Sequence, residues 1–165
     1  MQDSKSVGKT LYDMHLSRYG QCVDEMKMHK LMYYAQKESL ISTDNLLFDE
    51  KFYGWRYGPV LMSVRNEYKK TTPYFNIEPT NDDYTKNILQ KTLDEYGYRD
   101  GWSLSRISHD EISWKHARRG LSPKDNGNNE LQENFMRVDA LKEKSFREYV
   151  ERCKKNENEQ PPVVL

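Results

Sequence analysis

The chain has 165 residues, a length that suits one compact domain with a single core and argues against a large multidomain enzyme. Lysine plus arginine and aspartate plus glutamate number 26 each, so there is no overall positive field of the kind that drives non-specific nucleic-acid binding. Charged residues at 32% and a mean hydropathy of -1.03 lean towards disorder, but 12% aromatic residues, 12 of the side chains being Tyr, have to be packing against something.

The first residues, Met1 to Ser6, lack the apolar stretch of a secretory signal, and no run further on is long enough to cross a bilayer. A cytoplasmic protein that avoids membranes is expected. Cys22 and Cys153 have neither metal nor redox spacing, which fits idle thiols in a reducing compartment.

Ser4 or Ser6 can cap a first helix over 6–19, with Val7, Leu11 and Met14 on one face and Tyr19-Gly20 as its stop. Asp24 precedes Met28, Leu31, Met32 and Ala35, an apolar stripe widened by Tyr33 and Tyr34, and predicts a helix over 25–38. Leu46, Phe48 and Phe52 alternate with charged residues, so a small β element is placed around 46–54. Pro59 suits a first helical turn, and Val60, Val64 and Tyr68 then predict a helix over 59–70. Thr80 with Asp83 resembles a capping box for a helix carrying Leu89, Leu93 and Tyr96 and closed by Gly97.

Residues 100–108 read as a short helix, and another begins near Ser113, buries Trp114 and Ala117, and stops at Gly120. After a polar loop over 121–129, residues 134–138 are a second candidate β element. Asp139 is then a cap for a last helix with Leu141, Phe146, Tyr149 and Cys153. The expected fold is therefore mainly α: a single compact helical domain over 1–153, about six helices with at most a small β element, followed by a disordered tail over 154–165. Met28, Leu31, Met32, Val64, Leu89, Leu93 and Trp114 are expected in the core.

Chemistry is sparse. Gly8-Lys9-Thr10 ends like a phosphate-binding loop, but the preceding glycine and strand that such a loop needs are missing. His15, His29, His109 and His116 form no metal-ligand spacing, so neither metal nor cofactor is expected. No strained turn presents a nucleophile beside a base. His109 with Asp110 and Glu111 is the best acid–base candidate, against the commoner role of such a histidine as a structural hydrogen-bonder. Lys115, Arg118 and Arg119 form a local basic run that could meet nucleic acid, although such a run is ordinarily a solvated helix end. The cluster Phe52, Trp55, Tyr57, Gly58, Pro59 can serve either as core plug or as interface anchor.

Three segments in order carry a family resemblance. Met28-His29-Lys30-Leu31-Met32-Tyr33-Tyr34-Ala35-Gln36 is similar to an L-x-K-L-x-Y-Y-A-Q helix. Leu47-Phe48-Asp49-Glu50, Phe52, Trp55 and Tyr57-Gly58-Pro59-Val60 resemble an L-F-x-E-x-F-x-A-W-x-Y-G-P-V block. Leu104, Ile107, Ser108, His109 and Trp114 look like L-x-x-L-T-H-x-x-x-P-W. These are the patterns of the Panacea domain, the SocA-like or phage-associated GepA-like antitoxin family, and they cover roughly 24–118. Gly54 stands where that family favours Ala, and Ser108 and Ser113 replace its Thr and Pro.

The resemblance implies a helical antitoxin of a type II toxin–antitoxin system that neutralises a co-encoded protein toxin by direct binding, and is not an enzyme. Tyr33, Tyr34, Trp55, Tyr57, Gly58, Pro59, His109 and Trp114 are then the partner-binding candidates. The alternatives are a DNA-binding autoregulator using Lys115, Arg118 and Arg119, with nucleic acid disfavoured by the neutral charge, and a hydrolase or nucleotide-binding enzyme using His109. The polar tail is a candidate signal for a housekeeping protease, and an apolar helix face would serve a homo-oligomer as well as a core.

Overall fold

A computed structural model describes residues 1–156 and 163–164. Its elements in chain order are α1 (Ser4–Tyr19), α2 (Glu25–Thr43), β1 (Phe52–Trp55), β2 (Gly58–Leu61), α3 (Met62–Tyr68), α4 (Asp83–Tyr96), α5 (Gly101–Ser108), α6 (Ile112–Ala117) and α7 (Glu133–Lys155). The mainly α expectation holds, with seven helices among the described residues in place of about six and one antiparallel β1–β2 hairpin. No described helix is long and apolar enough to cross a membrane.

The chain is built around α2. Every residue from Met28 to Leu40 is buried, because α3, α4, α5, α7 and β2 all pack on this one helix. A helix enclosed all round is normally apolar all round, yet this one encloses Lys30, Lys37 and Glu38. Two of them meet a counter-charge from elsewhere in the chain: Lys37 Nζ donates to Glu111 Oε1 at 2.8 Å and Arg147 on α7 bridges Glu38 at 2.9 Å. Gln36 performs a similar service for the chain after α2, accepting from the Leu47 N–H at 2.7 Å and donating to the Phe48 carbonyl at 2.8 Å. Met28, Leu31, Met32, Val64, Leu89 and Leu93 are core residues as expected, none more than 1% exposed.

Aspartates start α1, α2, α4 and α5. Asp3, Asp24, Asp82 and Asp100 each accept a backbone N–H three residues on, at 3.0, 2.9, 2.9 and 2.7 Å, satisfying a donor the first turn leaves open. Asp3 thus replaces the expected Ser4 or Ser6 cap, and Asp82 replaces Thr80, whose hydroxyl instead donates to Gln2 Oε1. The second helix runs to Thr43, five residues past its expected end, and turns at Asp44 with a left-handed φ of 60°.

Pro59 does not begin a helix. It lies in β2, paired with Gly54 in β1, and Arg56-Tyr57 make the turn. The N–H of Gly54 points away from β2 and donates to the Asn129 carbonyl at 2.9 Å, so Gly54 and Pro59 form a pair without ladder bonds and the missing proline N–H removes nothing from the sheet. The Leu131 N–H closes the same outer edge of β1 on the Phe52 carbonyl. Helix α3 therefore starts three residues later than Pro59 suggests.

Residues 134–138 belong to α7, with no strand there, and Asp139 sits inside that helix rather than at its start. Leu141 and Phe146 are 63% and 61% exposed. The helix continues through Lys155, so the expected tail begins too early; residues 157–162 and 165 lie outside the described residues.

Candidate functional site

The motif segments meet at the tip of the hairpin. Glu25, Met26, His29 and Lys30 from the first turns of α2, Trp55, Tyr57 and Val60 from the hairpin, Arg65 from α3 and Asn126 line a cavity of about 440 Å³. A larger depression of about 670 Å³ at the far end of α2 takes only Leu47 from the motif segments.

The polar groups of this cavity have defined states. His29 Nδ1 accepts the Leu61 N–H at 3.2 Å, which leaves Nε2 to donate to Glu25 Oε1 at 3.4 Å. This is the neutral tautomer, and burial lowers the imidazole pKa in the same direction. The hydrogen bond from His29, with that of Arg65 Nη1 at 2.8 Å, holds the Glu25 carboxyl down at about 2. Lys30 is 1% exposed and its Nζ donates to the Pro59 carbonyl at 3.3 Å. Burial pulls its pKa to about 7, with Glu25 and Asp24 opposing the shift.

Gly58 makes that burial possible. Its φ of 113° is open to glycine, and a Cβ there would stand 2.5 Å from both Lys30 Cε and Ser108 Oγ. The Ser105 hydroxyl donates to the Tyr57 carbonyl at 2.7 Å and fixes the turn to α5. Outward from the turn, Tyr57 is 41% exposed and meets Trp102, 56% exposed, edge to face at 5.4 Å. The Arg56 guanidinium lies over the Tyr57 ring at 4.8 Å.

The other side of the hairpin holds His109 and Trp114. Trp114 Nε1 donates to the Trp55 carbonyl at 2.8 Å, and the His109 ring stacks on the indole at 4.1 Å. Trp114 is half-buried, a correction to its expected place in the core, because its indole lies along the outside of the hairpin. Burial, with Lys30 and Arg118 nearby, lowers the His109 pKa. Glu111 turns away to Lys37 and Tyr33, and Asp110 is exposed, so the three residues His109–Glu111 do not converge as an acid–base group.

Tyr33 and Tyr34 lie in the interior. The Tyr33 hydroxyl stands 3.1 Å from Ser113 Oγ, 3.2 Å from Asp139 Oδ2 and 3.3 Å from Glu111 Oε2. Tyr34 stacks on Tyr96 at 4.1 Å. Both bind the scaffold together and present almost no surface. Asp139 also accepts the N–H groups of Ile112 and Ser113 at 2.7 and 2.9 Å, so it caps α6 from across the core.

The basic run divides. Arg118 is buried, with Nη1 donating to the Gly54 and Asn126 carbonyls at 3.1 and 2.7 Å and Nη2 to Ser122 and Asp125 at 3.0 and 2.7 Å. It is a strut for the loop over 121–129, a correction to its place among nucleic-acid contacts; Lys115 and Arg119 are exposed. Among the described residues no three His, Cys, Asp or Glu side chains are grouped to hold a metal ion.

Sequence reasoning missed Lys30, Glu25, Arg65 and Trp102 as site residues. The signal for Lys30 was present, a lysine inside an apolar stripe with a Gly-Pro turn downstream, but only packing shows which cavity it borders. The family described as antitoxin SocA-like, Panacea domain, matches residues 28–115, which span α2, the hairpin, α3, α4, α5 and the start of α6. No curated protein and no solved structure matches the chain.

Proposed function

We propose that this chain, which belongs to the SocA-like, Panacea-domain antitoxin family, neutralises a protein toxin encoded beside it by binding that toxin directly, as in a type II toxin–antitoxin system of the cytoplasm. The family match carries the reading. The aromatic rim at the hairpin tip supports it: Tyr57 and Trp102 are exposed and held edge to face. Rigid aromatics lose little entropy on binding and dominate interface hot spots. Trp55, Gly58, Pro59, His109 and Trp114 act in this reading by fixing the hairpin that presents the rim, and Tyr33 and Tyr34 by fixing α2 beneath it. Binding, not catalysis, is the task.

Co-expression of the neighbouring toxin with the wild-type chain and with Tyr57→Ala/Trp102→Ala tests this. Wild type rescues growth and co-purifies with the toxin. The double variant keeps its far-ultraviolet circular dichroism and loses both. Rescue by the wild type without any complex overturns direct binding, and full rescue by the folded double variant removes the rim from the interface.

A further inference from the structure

The charged residues around the hairpin cavity answer one another. Two carboxylates, Asp24 and Glu25, and two cations, Lys30 and Arg65, share its lining, and His29 is the neutral tautomer, so the net charge is zero while Lys30 is protonated. Arg65 Nη1 and His29 Nε2 both donate to Glu25 Oε1, and Asp24 Oδ1 is held by the Lys27 N–H. Lys30 is turned inward, 1% exposed, with Nζ on the Pro59 carbonyl. The second oxygen of each carboxylate and the other N–H groups of Arg65 stay open among the described residues, so the lining offers acceptors and donors alike and favours neither sign of charge.

With these charges spent on each other, most of the surface open to the cavity is apolar, supplied by Met26, Val60 and the rings of Trp55 and Tyr57. A charged ligand would give up its hydration and meet no net counter-charge. An uncharged ring gives up little and can set its edge or face against Trp55 and Tyr57. About 440 Å³ is within the range of small-ligand sites and more than any one side chain of a bound polypeptide fills. We propose that this cavity binds a small uncharged aromatic molecule, its ring against Met26, Val60, Trp55 and Tyr57 and any hydroxyl it carries donating to the open oxygens of Asp24 and Glu25.

The methyl resonances of Met26 and Val60 in the ¹³C-labelled full chain read this directly, assigned by their loss in Met26→Leu and Val60→Ile. The probes share one ring system and differ in charge: 2-naphthylmethanol, 2-naphthylmethylammonium and 2-naphthoate, with acetyl-Ala-Trp-Ala-amide as a polypeptide-borne ring. Titrations run at about pH 6, below the Lys30 value of about 7. Saturable shifts of both methyls with the alcohol are expected, each charged analogue binding at least about tenfold more weakly, ~1.4 kcal/mol. Arg65→Gln leaves the lining one negative charge and should raise ammonium binding relative to carboxylate at least about threefold, and Glu25→Gln should shift the ratio as far the other way. Should neither variant fold, Tyr57→Ala, which removes an exposed wall, weakens binding of the alcohol. No saturable shift with the alcohol, a charged analogue binding as tightly to the wild type, or folded variants that behave as the wild type overturn the proposal. Binding of the peptide without the alcohol also overturns it and assigns the cavity to a side chain of a polypeptide partner. No toxin is involved, so the result is independent of the antitoxin reading.

Discussion

Gly58 lies directly over the aliphatic end of Lys30, close enough that one added methyl would stand 2.5 Å from Lys30 Cε. A residue in the hairpin and a residue in the central helix, adjacent in neither sequence nor secondary structure, thus define each other: the glycine is required because the lysine is buried there, and the lysine stays buried because the glycine leaves it room.

Gly58→Ala is expected to destabilise the protein by more than about 2 kcal/mol, since the new Cβ combines a left-handed φ with contacts on two side chains. Urea denaturation checks it. Gly58→Ala in a Lys30→Ala background should recover part of the loss, and an additive double variant would show that the two residues do not interact.

Lys30 makes stability depend on pH. Its pKa falls from 10.5 in the unfolded chain to about 7 in the folded one, so between those values the unfolded state binds more protons and stability rises with pH, by up to ~1.4 kcal/mol per pH unit. Below about 7 both states are protonated and this contribution is flat. The facing groups are Asp24, Glu25, His29, Arg65 and Tyr57. Thermal or urea unfolding across this range should show the slope in wild type and its absence in Lys30→Met.

Asp139 accepts hydrogen bonds from two backbone N–H groups of α6 and lies beside the Tyr33 hydroxyl. Asp139→Ala leaves buried donors unpaired and should cost on the order of 3 kcal/mol, whereas Asp139→Asn, which keeps an acceptor, should cost less. Hydrogen exchange at Ile112 and Ser113 distinguishes local loss of the cap from global weakening: both amides should exchange faster in the alanine variant at matched stability.

Arg118→Lys tests whether the basic run is a binding surface or a support. Four carbonyls converge on one guanidinium, a geometry that a lysine ammonium cannot reproduce. The expected outcome is a fall in melting temperature and faster proteolysis within 121–129. An unchanged protein with altered DNA retention would return Arg118 to the surface role.

Much of the fold was legible because helices announce themselves locally. Apolar stripes placed α1, α2, α4 and α5 to within a few residues, since period and caps depend on neighbours in sequence. Pro59 and Asp139 misled for one shared reason. Each has a strong local preference for a helix start, and each was overridden by a pairing that this preference does not encode: Pro59 lies opposite Gly54 across a two-residue hairpin turn, and Asp139 accepts the N–H groups of α6 from 27 residues away. The three-part motif was readable as a string, and its match to the SocA-like family follows from order and spacing alone. The place of each motif residue was not. Tyr33 and Trp55 are both large aromatics inside the motif segments, but Tyr33 is enclosed by α6 and α7 whereas Trp55 borders a cavity. Arg118 reads as a solvated cation until the loop over 121–129 folds back and supplies its carbonyls. Sequence by itself determined the helical architecture and the family; only the tertiary structure decided which charged and aromatic side chains face inward, because burial of a polar group depends on partners brought from elsewhere in the chain.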